Sequence, residues 1–223
     1  MQPTSHAFKE NARAALEDEQ LHRALANMKA GFQDKRAATI ARLPEWDALR
    51  DQARRIKRHT LAHLDFYLEA FEAKVAERGG RVHWARNGQE ARDAVVAICR
   101  AAGARTVTKG KSMVAEEIGL NDHLEAHGLE PIETDLGEYI IQLRKEPPSH
   151  IIAPALHLTK EQVADSFREH HREFDPARLL NEPRALTDEA RAVLRRRFQT
   201  ADVGITGGNF LIAETGSTVI VTN

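Results

Sequence analysis

The stretch RTVTKGKSMVAEE, residues 105–117, decides the fold. Thr106, Val107 and Thr108 form a β-branched run, which reads as a strand. Lys109-Gly110-Lys111 is a polar turn, and Ser112 stands where a helix begins. Strand, turn and helix in immediate succession open a βα unit, the building block of layered α/β domains.

The same texture continues on both sides. VHWA (82–85) reads as a strand, and GQEARDAVVAICRAAG (88–103) as a helix bounded by glycines. Downstream, VAEEIGL and NDHLEAHG read as short helices, the second with Asn121 as its N-cap. LEPIETD (129–135) leads into a short strand, and HIIAPA (150–155) reads as a strand stopped by Pro154. TKEQVADSFREHH (159–171) opens with Thr159 and Gln162 at capping-box spacing. LTDEARAVLRRRF (186–198) puts Ala190, Val193, Leu194 and Phe198 on one helical face, with Thr187 as the expected cap. DVGITG (202–207) reads as a buried strand. Two apolar runs around Thr215-Gly216-Ser217 close the chain. The alternation predicts an α/β domain with a largely parallel sheet.

Residues 5–78 read as helix. Leu21, Leu25, Met28 and Phe32 recur at helical spacing, and after Pro44 the stripe resumes at Trp46, Leu49, Ala53 and Ile56. Leu61, Leu64, Leu68, Phe71 and Val75 carry it to Gly79-Gly80. The expectation is one long amphipathic helix or two collinear ones. The division is therefore a helical extension at 1–78 and an α/β domain at 79–223.

With 32 Lys+Arg against 33 Asp+Glu, the net charge is -1. This lacks the basic excess of a dedicated nucleic-acid binder. RRIKRH (54–59) and RRR (195–197) fall in helical patterns and read as solvated faces. Cys99 is the one cysteine; an iron–sulfur cluster needs about four. In AVVAIC it reads as a small buried hydrophobe. No apolar run reaches the ~20 residues of a membrane span, and no secretory signal opens the chain, so the expected location is cytoplasmic.

Ligands of open α/β sheets sit beyond the carboxyl ends of the strands. Lys109, Lys111 and Ser112 fall there and suit a carboxylate or phosphate; a capped helix start with solvated lysines fits equally. His150 and His157 flank HIIAPA, where a histidine can serve as a general base or simply be hydrogen-bonded in place. The pairs His59/His63 and His123/His127 lie i, i+4 but outside any HExxH motif, so no metal site is expected. Gly207, Gly208 and Asn209 form a turn that permits close backbone approach. Glu214 precedes Thr215, Gly216 and Ser217; its carboxylate can be a nucleophile, a base or an anchor for the turn.

KSMVAEEIGLN (111–121), ETDLGEYIIQL (133–143), PSHIIAPALH (148–157) and ADVGITGGNFLIAETGSTVIVTN (201–223) together resemble the lactate utilization protein B family, iron–sulfur proteins of an L-lactate oxidation system. The segments occur in family order, with Gly208 where many relatives carry Ala or Cys. The resemblance implies a three-layer fold related to ribose-5-phosphate isomerase, glucosamine-6-phosphate deaminase and CoA transferases. It implies a small 2-hydroxy acid as ligand, other subunits of a lactate-oxidising complex as partners, and 4Fe-4S clusters in a region beyond this chain, which then reads as an N-terminal part. A homo-oligomer is compatible with it. Lys111 and Ser112 would hold a carboxylate while His150 or His157 takes the hydroxyl proton. No flavin or nicotinamide motif is visible, so the chain alone is not expected to oxidise lactate. A CoA-transferase-like or phosphate-ester-binding enzyme domain with Glu214 as nucleophile, and a non-catalytic scaffold, stand as alternatives.

Overall fold

The computed structural model describes residues 5–150 and 153–221. The first part is helical: α1 (Phe8–Glu17), α2 (Glu19–Met28), α3 (Lys35–Ile40), α4 (Trp46–Ala62) and α5 (Leu64–Glu77). Then follow α6 (Gly88–Ala101), β1 (Thr106–Gly110), α7 (Met113–Glu117), α8 (Leu120–Ala126), β2 (Glu130–Glu133) and α9 (Leu136–Arg144). The chain continues through α10 (Lys160–His170), α11 (Pro183–Thr200), β3 (Val203–Thr206), β4 (Phe210–Ile212) and β5 (Ser217–Val219). Two compact units result, residues 5–28 with 86–207 and residues 29–85 with 208–221.

In the first unit, β1 pairs in parallel with β2 on one side and β3 on the other. Val107 stands opposite Pro131 and Val203, Thr108 opposite Ile132 and Gly204, and Lys109 opposite Glu133 and Ile205. Alternation along the strands sends successive residues to opposite faces. Val107, Val203 and Ile205 therefore join Val96, Cys99, Ala115, Leu120 and Leu124 in one core. Ile132 joins Tyr139, Ile140, Ala164, Phe167, Leu186, Ala190 and Leu194 in the other. Helices cover both faces, giving the α/β layering that the sequence predicts. Cys99 is fully buried, and burial pushes its thiol pKa up.

Local chemistry explains most element boundaries. Asn87 caps α6 by accepting from the Glu90 N–H at 3.0 Å, and Ser112 caps α7 by accepting from Ala115 at 3.1 Å. The expected capping box of Thr159 and Gln162 opens α10. The carboxylate of Asp202 accepts the N–H groups of Arg105 and Thr106, both at 2.9 Å, tying the start of β3 to that of β1.

Other expectations give way. Residues 82–85 form no strand; among the described residues they have no ladder partner, and the Trp84 indole donates to Glu72 instead. Asn121 lies inside α8, which follows Gly119, and its amide is used on Glu133. Thr187 is also internal, because Pro183 starts α11 a turn earlier; its hydroxyl bonds back to the Pro183 carbonyl. Of the strand expected at 150–155, Ile151 and Ile152 lie outside the described residues. Residues 154–157 form a turn, closed where Ser149 donates its N–H and hydroxyl to the Pro154 carbonyl. β3 is a half-exposed edge strand rather than a buried one. Before Gly79, where one long helix or two collinear ones are expected, α4 and α5 are separate helices that meet at His63, and Leu25, Phe32, Leu49, Ile56 and Leu64 remain exposed.

In the second unit, β4 and β5 form an antiparallel hairpin around the Thr-Gly-Ser turn. Gly216, at φ 70, presses on α5: a Cβ there would lie 2.8 Å from the Lys74 carbonyl carbon and the Val75 nitrogen. Only glycine fits that approach.

A polar chain locks the second core of the first unit. Arg178 holds Glu189 bidentately at 2.6 and 2.8 Å, Glu189 meets His171 Nδ1 at 2.8 Å, and His171 Nε2 meets the Tyr139 hydroxyl at 2.8 Å. A carboxylate only accepts, so Nδ1 carries the ring proton and Tyr139 donates to Nε2. Burial pushes the Tyr139 pKa up to about 12, which keeps that donor proton in place. Glu189→Ala would leave the buried imidazole without its acceptor and strip the part-buried Arg178 guanidinium of its carboxylate, and is expected to cost about 1–3 kcal/mol. Tyr139→Phe is expected to cost about 1–3 kcal/mol. Urea unfolding measures both, and a Glu189→Ala chain as stable as wild type would contradict the role given to this chain of bonds.

Candidate functional site

The connection from β1 leads to β2 on one side, and the chain then returns to place β3 on the other side of β1. Strand order therefore reverses between β1 and β3, which is where open α/β sheets hold their ligands. Three segments meet the carboxyl edge: Lys111-Ser112 after β1, Thr134-Asp135 after β2, and Gly207 after β3.

Gly207 is placed by contact with the first of these. Its N–H donates to the Gly110 carbonyl at 3.1 Å. A Cβ at Gly207 would overlap the Lys111 carbonyl oxygen and lie 2.7 Å from that carbonyl carbon and 3.0 Å from Ser112 Cα. Lys111 itself adopts φ 58, a left-handed backbone uncommon outside glycine. Lys145, at φ 54, shares it, but Lys145 ends a helix, where that conformation is ordinary. Lys111 sits between a strand and a helix and has no such reason.

The Lys111 ammonium bonds both oxygens of Asp135, at 2.9 and 3.0 Å, with a quarter of each side chain exposed. Lys109 is committed more deeply. Its side chain is 2% exposed and its ammonium lies 2.7 Å from Glu133 and 2.8 Å from Glu116. Burial pushes Lys109 down, but the Glu133 and Glu116 carboxylates outweigh it and raise the pKa. Glu133, 3% exposed, is raised by burial against the pull of Lys109 and Asn121. Both directions favour the proton-bound forms. Ser112 spends its acceptor on capping α7.

His157 is held at the other end of α9. His157 Nε2 meets Glu146 at 3.0 Å, beyond the last residue of α9, whereas Asp135 precedes the first. The nine residues of α9 separate the two contacts by roughly 14 Å at ~1.5 Å per residue. Arg144, and then His157, hold the Glu146 pKa below the usual carboxylate range. His150 occupies an exposed bend, its Nδ1 accepting from Ala153 at 3.3 Å.

Gly208, Asn209, Glu214, Thr215, Gly216 and Ser217 belong to the second unit. There Gly208 abuts Thr218, and the Asn209 side-chain oxygen accepts from Val221 at 2.8 Å, pinning the hairpin. Thr215 and Ser217 hydroxyls bond each other at 2.9 Å. The Thr215 and Gly216 N–H groups go to the Ile212 carbonyl, and the Ser217 N–H to Thr215 Oγ1. The exposed Glu214 carboxylate therefore does not anchor the turn. Sequence reading missed Glu116, Glu133 and Asp135. Pro131, Ile132 and Glu133 are buried in succession, and a carboxylate closing so short an apolar strand was the available signal.

No group of three or more His, Cys, Asp and Glu suited to a metal occurs among the described residues, and no helix there is long and apolar enough to cross a membrane. A cluster of iron and sulfur does not fit either, since Cys99 is single and fully buried.

Helices on both faces of a parallel sheet, with polar turns meeting at a strand-order reversal, define an open α/β domain. Residues 68–223 match the LUD domain, and the chain belongs to that family. It is 44% identical over 218 residues to lactate utilization protein B of Bacillus velezensis, covering 97% of this chain and 45% of that protein. Identity to the Bacillus subtilis protein of the same name is 42% over 218 residues, again 97% of this chain and 45% of that one. For Geobacillus thermodenitrificans it is 47% over 199 residues, 87% of this chain and 41% of the relative. The chain thus spans less than half the length of these relatives. No solved structure matches it.

Gly207→Ala is expected to destabilise by about 1–3 kcal/mol or more, because backbone rather than a flexible side chain must yield. Gly204→Ala, whose Cβ would lie 3.7 Å from Thr108 Oγ1, is the matched control and should be tolerated. Thermal unfolding of the two variants compares them directly; equal behaviour would disprove the close approach.

Proposed function

We propose that this chain is the substrate-side module of an L-lactate-utilising protein, holding a small 2-hydroxy acid or its 2-oxo counterpart at the carboxyl ends of β1 and β3. The names of the relatives motivate the substrate class. Lys111 is the observation that carries the reading. Its strained backbone, its position at the strand-order reversal and its part-exposed pairing with Asp135 give a cation that a ligand carboxylate can share with Asp135. The Ser112 hydroxyl keeps its proton free to donate to a ligand oxygen while its lone pair caps α7.

Oxidising a 2-hydroxy acid removes two electrons and two protons. In this reading iron–sulfur clusters elsewhere in the system carry the electrons, and the present residues bind and orient the acid. His157 stands too far from Lys111 to receive the hydroxyl proton from an acid held there. Kinship of the fold to sugar-phosphate isomerases and CoA transferases, a cytoplasmic location and association with other subunits complete the proposal. A second reading rests on Glu214, whose exposed carboxylate is not used by its own turn: a CoA-transferase-type nucleophile.

Titration with L-lactate and pyruvate, followed by backbone amide NMR, separates these. Shifts are expected at residues 109–112 and 206–207, and Lys111→Met should weaken binding roughly 10- to 100-fold through loss of a charged hydrogen bond. Equal affinity in Lys111→Met would refute the site. A hydroxylamine-sensitive adduct at Glu214 after incubation with an acyl-CoA would favour the second reading.

A further inference from the structure

Among the described residues, two buried acceptor atoms beside the candidate site have no hydrogen-bond partner, Oε2 of Glu133 and Oδ1 of Asn121. They belong to groups already in contact, since Asn121 Nδ2 donates to Glu133 Oε1 at 2.6 Å. A carboxyl and a primary amide joined by one such bond can close a second, from the acid O–H to the amide oxygen. That bond needs a single proton on Oε2, and it would satisfy both unpartnered atoms at once. We propose that Glu133 carries this proton in the folded chain. Glu133 and Asn121 then form a ring of two hydrogen bonds, and Glu116 balances the charge of Lys109.

The surroundings leave few alternatives. The Glu133 N–H already goes to Gln142 Oε1, and Gln142 Nε2 goes to the Pro131 carbonyl, so this neighbouring amide is spent. An ionised Glu133 would keep one oxygen buried without a donor, a costly arrangement. The groups facing it are Lys109 from β1, Glu116 from α7, Asn121 from α8, and Glu138 and Gln142 from α9, with Asp135 at the head of that helix. Burial raises Glu133, and burial with Asp135, Glu133 and Glu116 raises Glu138.

The consequence for function rests on the reading of Lys111 as an anion site. With Glu133 ionised, Lys109 and Lys111 face three carboxylates, Glu116, Glu133 and Asp135, and the set is net negative. With Glu133 protonated the set is neutral, and a ligand carboxylate approaches Lys111 without that repulsion. Glu133 is thus a positioning residue, acting through the field at Lys111 and not by touching the ligand.

Side-chain carboxyl 13C NMR of the ligand-free wild-type chain, from about pH 5 to about pH 8, tests the proton directly. Glu133 should titrate above the exposed glutamates or remain protonated throughout. A Glu133 resonance that titrates with or below them overturns the proposal, whatever any variant does. Glu133→Gln reproduces the donor and acceptor pattern of the protonated acid. A raised folded pKa contributes stability that is full below the ordinary value of 4.5 and is lost as pH rises through the folded value. Wild-type Tm should therefore fall over that interval, and Glu133→Gln should lessen the fall, the raised Glu138 accounting for what is left. Pyruvate affinity in the wild type should weaken across the same interval, and in Glu133→Gln it should not. If NMR finds the proton but pyruvate binds neither chain, the anion site fails and the protonated Glu133 stands.

Discussion

Lys109 stands opposite Glu133 across the parallel register of β1 and β2, and both side chains are almost wholly buried. This pair constrains the sheet. Slipping β2 by one residue would bring Ile132 or Thr134 opposite Lys109 and send the buried set to the wrong face. A slip would take Glu133 away from both Lys109 and Asn121 and strand its buried carboxyl, so the slipped pairing is disfavoured beyond the loss of apolar burial. The Lys109–Glu133 contact adds little net stability by itself. Its contribution is to make one register acceptable. Once that register holds, Val107 and Ile132 fall into opposite cores, and Asp135 comes within reach of Lys111.

The same register explains why the site was only partly legible in the sequence. Lys111, Ser112 and Gly207 could be read because their roles are local: a turn after a strand, a cap, a glycine where backbones approach. Their partners could not. Asp135 lies 24 residues from Lys111, and Asn121 lies 12 residues from Glu133. Nothing in a periodicity pattern joins such positions until the strands are paired. The same holds for His157, whose place after a predicted strand suggested the site. Residues 154–157 instead form a turn, and that histidine is drawn to Glu146 past the far end of α9.

Element types were read well where the signal was chemical and adjacent, as in the capping box at Thr159 and the hairpin turn at Thr215-Gly216-Ser217. They were misread where a residue had two uses. Asn121 and Thr187 both suit an N-cap, yet Asn121 is worth more on a buried carboxyl, and Thr187 lost its place to Pro183 one turn earlier. VHWA has the composition of a strand, but β-propensity largely reflects packing against neighbouring strands. With no ladder partner among the described residues, Trp84 is 61% exposed.

Glycine, finally, separates what holds the fold from what serves the site. Gly216 and Gly207 look alike in sequence, each next to residues read as ligand-binding. Gly216 is explained by its own unit: it turns a hairpin and lies against the backbone of α5. Gly207 does something different, because the backbone it lies against belongs to a lysine held at φ 58. A left-handed lysine between strand and helix costs of order 1–3 kcal/mol, where glycine at the same position would cost almost nothing. Such a cost persists only if the side chain is needed there. The Lys111–Asp135 pair is too exposed to offset the strain, since ion pairs of that kind contribute about 0–1 kcal/mol. The balance leaves the ammonium at the strand-order reversal as the feature that stability does not explain, which is why the proposed anion site is placed there.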